Sequence, residues 1–179
     1  MRKIFIILLS SILFTGCIKA PTIFGNKTFI VHQGYLSIGK INQNIANQLP
    51  IIEKVGSNEI KIVSVTVYGN PKQNNLLIET DFTFTSFQIP EGLPASAKLS
   101  ANLMYDPQTK EFRFKDVTLN SIQFLKEELT EYISKPQNKF IEDAIAIKIS
   151  ELILYKSQKR LNPINNYQIE NSKIKIIFK

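Results

Sequence analysis

The sequence predicts an α+β domain, and three observations predict it. Four segments of period-two alternation follow one another between residues 60 and 119. Helical stripes flank them at 38–52 and 125–155, and a last alternating run closes the chain at 173–178. Consecutive strands in the middle with helices toward both ends fit α+β and argue against a strand–helix–strand array. There is no internal repeat and no low-complexity tail.

The chain opens with Arg2 and Lys3, then an apolar run at 4–14 broken only by Ser10 and Ser11, then Thr15, Gly16 and the single cysteine, Cys17. That is the three-part form of an export signal. The run is about half of the roughly 20 residues a membrane-spanning helix needs, and Lys19, Pro21 and Asn26 follow at once. LFTGC at 13–17 resembles a bacterial lipobox, with Phe14 where that motif usually has leucine. The resemblance implies lipidation of Cys17; an ordinary buried thiol is the alternative. A diacylglycerol thioether with an N-acyl chain such as palmitate is a durable anchor, at ~0.8 kcal/mol per buried CH₂. Residues 1–16 then read as a lipoprotein signal peptide, 17–27 as a lipidated tether and 28–179 as a single domain. Ile18, in place of a retaining aspartate, leans toward the periplasmic face of the outer membrane.

Phe29-Ile30-Val31 begins a first strand running to about Tyr35. Ser37 is a candidate helix cap, and Ile38, Ile41, Ile45, Leu49 and Ile52 follow at steps of three and four. Lys40, Asn42, Asn44 and Asn47 take the other side. Pro50 stops or kinks that helix, and Gly56 closes the unit.

The stretch 60–68 changes parity, from Ile60 and Ile62 to Val63, Val65 and Val67, which predicts a bulge or burial on both faces. In 77–87, Ile78, Phe82 and Phe84 oppose Glu79, Asp81, Thr83 and Thr85; in 95–105, Ala97, Leu99, Ala101 and Leu103 oppose Lys98, Ser100 and Asn102. After the turn at 106–109, Phe112 and Phe114 resume and lead through Val117 and Leu119. Short turn-rich connections predict an antiparallel meander. A second helical region begins near Leu125, is divided by Pro136, and continues as a long helix from about Pro136 to Tyr155. Its apolar stripe is broader than the ~100° a helix on a flat sheet needs. The final strand sets Ile174, Ile176 and Phe178 against Lys173, Lys175 and Lys179.

Composition limits the function. Removing Arg2 and Lys3 takes the basic count from 22 to 20 against 15 acidic residues, a net charge of +5. The lysines are scattered without an aromatic-rich basic stripe, which excludes a nucleic-acid footprint and leaves a mild attraction to anionic headgroups. After Cys17 no cysteine remains for a disulfide. The one histidine, His32, stands alone, so neither a zinc site nor a general base has partners. Glu127-Glu128 and Glu142-Asp143 sit beside lysines on helical stretches, as a solvated face does. No cofactor, metal or enzyme motif is present.

LFTGC at 13–17, SIGKINQNI at 37–45, ANLMYDPQTKEFRFKDVTL at 101–119, SELILYKSQ at 150–158 and the strand at 173–178 together resemble the YceB-like family of bacterial lipoproteins. That family is similar in fold to the tubular lipid-binding (TULIP) proteins. The resemblance implies a curved antiparallel sheet of about five to six strands wrapped around a long C-terminal helix, with a shorter N-terminal helix. It also implies a lipid, fatty acid or other long apolar ligand. The candidate groove lining is Phe82, Phe84, Leu99 and Leu103, then Ile141, Ile145, Ile149 and Leu152 on the helix, and Ile176. Ordinary core is the alternative for all nine. Two functions follow: an outer-membrane-anchored, non-catalytic lipoprotein holding such a ligand, or a tethered protein–protein interaction module with a filled core.

Overall fold

The computed structural model describes residues 33–179. Its elements are β1 (Gln33–Ser37), α1 (Ile38–Ala46), β2 (Ile51–Val55), β3 (Asn58–Asn70), β4 (Asn75–Thr85), β5 (Leu93–Asp106), β6 (Glu111–Phe124), a 3-10 turn (Glu127–Tyr132), α2 (Lys135–Glu151), β7 (Ile153–Lys156), β8 (Ile164–Ile169) and β9 (Lys173–Phe178). Two antiparallel sheets result, one of six strands in the order β2-β3-β4-β5-β6-β7 and one of three in the order β1-β9-β8.

This corrects the expected class. The fold is mostly β, with 53% of the described residues in strands and 22% helical, and no long C-terminal helix is present. The expected helix to Tyr155 stops at Glu151, and Ile153-Leu154-Tyr155 become β7 on the edge of the large sheet. Residues 51–55 leave the first helical stripe to pair with β3, and the Asn-rich stretch 164–169 pairs with β9. Short apolar runs satisfy both the helical and the strand template, and the available partner edge decides between them. Nine strands thus replace the expected five or six, and the sheet does not wind about one long helix.

The middle of the large sheet follows from alternation. On β3 the register shifts between Ile62 and Ser64, a bulge that turns Val63 outward and keeps Ile60, Ile62, Val65 and Val67 on the inner face. Two further shifts in the pairing of β5 with β6 act the same way. The inner residues of β6 therefore change parity twice, from Phe112 and Phe114 to Leu119 and then to Ile122 and Phe124. Asp116 takes φ +53° at the first shift, a left-handed conformation in which Asp is better tolerated than most residues.

The helices close the core. α1 touches β3 and β7, while α2 touches β2, β3 and β6, so each reaches strands from opposite ends of the sheet order. Ile38, Ile41 and Ile45 of α1 and Ile141, Ala144, Ile145 and Ile149 of α2 are buried. The polar side of α1 bonds to strand backbone. The Asn42 side chain accepts from Val67 N–H at 2.8 Å and donates to the Val67 carbonyl at 3.1 Å. Asn44 donates to the Leu154 carbonyl at 2.9 Å, and just past the helix Gln48 accepts from the Ile153 N–H at 3.0 Å and donates to its carbonyl at 2.8 Å. α2 starts on a capping box in which the Ser134 hydroxyl accepts from Gln137 N–H and the Gln137 side chain accepts from Ser134 N–H.

The small sheet lies against β3 at Gly69. A Cβ there would stand 2.5 Å from the Glu170 carbonyl oxygen and 2.9 Å from Ile169 and Ile38 side-chain carbons. Glycine is what allows that approach. Tyr167 reaches from β8 to β5, where its hydroxyl donates to the Asn102 carbonyl oxygen of the side chain at 3.1 Å.

Candidate functional site

The nine candidate groove residues sit together, but inside the core. Phe82, Phe84, Leu99, Leu103, Ile141, Ile145, Ile149, Leu152 and Ile176 are each 5% exposed or less and belong to one hydrophobic cluster. None of them lines the two cavities described below. Cys17 and His32 lie outside the described residues.

The open space is at a different place, between α2 and the second half of β6. Two adjoining cavities of about 370 Å³ and 540 Å³ share Phe124, Asn138 and Glu142 in their walls. Both are open depressions at the surface, and their lining is somewhat more polar than apolar. Leu119, Ile122 and Phe124 of β6, Ile133 before α2 and Ala146 on it form the apolar part; Lys135, Asn138, Lys139, Glu142 and Asp143 form the rim. Asn138 donates to the Glu142 carboxylate at 2.8 Å, and Lys139 pairs with Asp143 at 3.1 Å.

The cleft exists because cover runs out along β6. β7 pairs only with Glu111, Phe112 and Arg113. Beyond them β6 has no strand on its outer side among the described residues, so its edge carries unpaired backbone donors and acceptors. At this end stand Phe87, 88% exposed in the β4–β5 loop, and Leu125, 66% exposed after β6. The Leu125 N–H donates to the Pro94 carbonyl of β5 at 3.0 Å, which carries the β5–β6 pairing one residue beyond Phe124.

The closed end of β6 is held by charge. The Glu111 carboxylate accepts from Arg113 Nε at 3.1 Å and Nη2 at 2.7 Å, and from Lys156 Nζ at 3.1 Å. Its side chain is 7% exposed. Chiefly the Arg113 guanidinium, and then Lys156, holds the carboxyl below its ordinary 4.5. Arg113 Nη1 donates to the Glu151 carbonyl at 2.8 Å, where α2 ends. This is a clamp joining β6, β7 and α2, with its donors consumed internally. Lys148 is raised above its ordinary value by Glu53 and Glu151 in the same structural way. Among the described residues no three His, Cys, Asp or Glu are placed to hold a metal.

The sequence reading missed the cleft residues Leu119, Ile122 and Phe124 as a group because each parity change hides the common face. The signal present was the polar pair Asn120-Ser121 between apolar neighbours, a mark of a bulge. No curated protein matches the chain. The family model described as "Domain of unknown function (DUF4403)" matches residues 37–178, most of the chain, and the chain belongs to that family.

Proposed function

We propose that this chain is a membrane-tethered, non-catalytic binding module of the cell envelope, and that the cleft between α2 and the open half of β6 docks an extended segment of another envelope protein. The observation that carries this reading is the unpaired edge of β6 beside an apolar floor of Leu119, Ile122 and Phe124. A strand added there satisfies backbone groups of the edge, while alternate side chains settle on the floor. The packed state of the nine core residues favours this over a ligand tunnel through the middle of the domain.

A second reading keeps a lipid or other long apolar ligand, as the YceB-like resemblance implies, and places it in the same cleft. The half-covered Leu119, Ile122 and Phe124 in its wall support that reading. One experiment serves both. The full chain carries a photo-crosslinking residue at Ser121 in cells and is then purified without detergent for native mass spectrometry. A protein cross-link abolished by Ile122→Lys, and kept by Lys61→Gln on the outer sheet face, supports docking. A discrete lipid mass abolished by Ile122→Lys supports the second reading. Neither product sinks both.

A further inference from the structure

Charge is distributed unevenly along the described chain. Residues 156–179 hold six basic side chains and one acidic, Glu170, whereas 33–155 hold 12 basic and 14 acidic. Lys156 is committed to Glu111 and Lys173 to Glu170. Lys159, Arg160, Lys175 and Lys179 have no carboxylate partner among the described residues. The strand register places Lys173 and Lys175 on the outer face of the small sheet, with Lys175 opposite Tyr35 on one side and Gln168 on the other. No carboxylate stands on that face among the residues of β1, β8 and β9. Tyr35 is 61% exposed, and Lys173 Nζ lies 4.8 Å from its ring centre.

The loop carrying Lys159 and Arg160 joins β7 to β8 and is fixed to both sheets. Leu161 N–H donates to the Tyr105 hydroxyl at 2.9 Å, and Lys179 N–H donates to the Pro163 carbonyl at 3.0 Å. The chain enters here as well, since Gln33 pairs with Ile177. Between Cys17 and Gln33 stand residues 18–32, which include Lys19 and Lys27 and no acid. Fifteen residues reach at most about 50 Å.

We propose that the outer face of the three-stranded sheet, with the loop at 157–163, docks on an anionic lipid bilayer. Complementary charge supplies the attraction, at roughly a fivefold gain in binding per cation near the surface. Tyr35 is the amphipathic ring suited to the headgroup level. A short tether entering at this face keeps it near the membrane, so individually weak contacts suffice. The inference goes beyond the cleft: it takes only the tether from the reading above, and it leaves the α2–β6 opening free for its own occupant.

The test uses the mature chain from residue 17 with Cys17→Ser, so that neither the apolar run at 4–14 nor an acyl chain masks the charge contribution. Partition is measured onto vesicles of phosphatidylglycerol mixed with phosphatidylcholine, and onto phosphatidylcholine alone, at low and high salt. The parent is expected to prefer the anionic vesicles and to lose that preference in salt. Lys159→Gln, Arg160→Gln and Lys175→Gln together should reduce the preference on the order of a hundredfold. Lys54→Gln, Lys61→Gln and Lys98→Gln together change net charge equally, but on the large sheet, and should leave it nearly intact. Equal partition of the parent onto both vesicles overturns the proposal, and so does an equal loss in the matched control. The cleft variant Ile122→Lys keeps the lipid preference, so the two proposals fail separately.

Discussion

β6 has two halves that look alike in sequence and differ in what covers them. In the first, Phe112 and Phe114 are each 2% exposed, with β7 alongside and the Glu111 clamp at its end. In the second, Leu119, Ile122 and Phe124 face the same side of the same sheet but are only partly buried. The residues are equally apolar and the strand is continuous. The difference is cover, and it teaches that the opening arises where the sheet outruns its neighbours, not where the sequence becomes polar.

The sharpest way to break that comparison is to shorten one phenylalanine in each half. Phe114→Ala should cost about 3–5 kcal/mol, as a large truncation in a packed core does, and Phe124→Ala no more than about half of that. Equilibrium urea unfolding of both variants checks it; equal losses would mean that the second half is as tightly packed as the first. Next comes Gly69→Ala, at the joint of the two sheets. Its Cβ would press on the Glu170 backbone carbonyl, so a loss of about 2 kcal/mol or more is expected. A shift of the Tyr167 environment by NMR would place the damage at that joint.

Glu111→Gln should cost about 1–3 kcal/mol at neutral pH, because charged hydrogen bonds are lost at a buried group. The sign follows from the lowered pKa. Stability from Glu111 is complete above the unfolded-state value and disappears as pH falls through the folded-state value. The gap between parent and variant should therefore begin to narrow as pH falls through the ordinary glutamate value of about 4.3 and close only below the lowered folded-state value. Unfolding curves across an acidic pH series read this; a constant gap would show that the carboxylate's charge is irrelevant. The smallest effect expected is at Asp116, φ +53°. Asp116→Ala should cost about 1 kcal/mol and Asp116→Gly close to none, and thermal melts distinguish them.

The central meander was legible because long alternation leaves one consistent face. The parity change at 60–68 announced a bulge, and the structure puts it between Ile62 and Ser64. Residues 150–156 and 164–169 were not legible for opposite reasons. Ile153-Leu154-Tyr155 fits a helix and a strand equally, and Gln48 and β6 decide for the strand. Residues 164–169 show no sustained alternation, and they become a strand because β9 offers an edge and Asn74 accepts from the Ile169 N–H at 2.8 Å. For the candidate site, the apolar residues chosen for length and face were those that pack best. The ones left half-covered lay where two bulges broke the pattern.

The properties legible in the sequence are local and one-dimensional: which faces of long strands are apolar, where turns stand, and that a helix runs from about Pro136. Those properties depend on neighbours a few residues away. Tertiary structure alone decided which short apolar runs became strands, which side chains of α1 close onto strand backbone, and how far along β6 the cover extends. These depend on partners tens of residues distant, such as Asn44 with Leu154, and their pairing free energy outweighs local preference wherever that preference is nearly balanced.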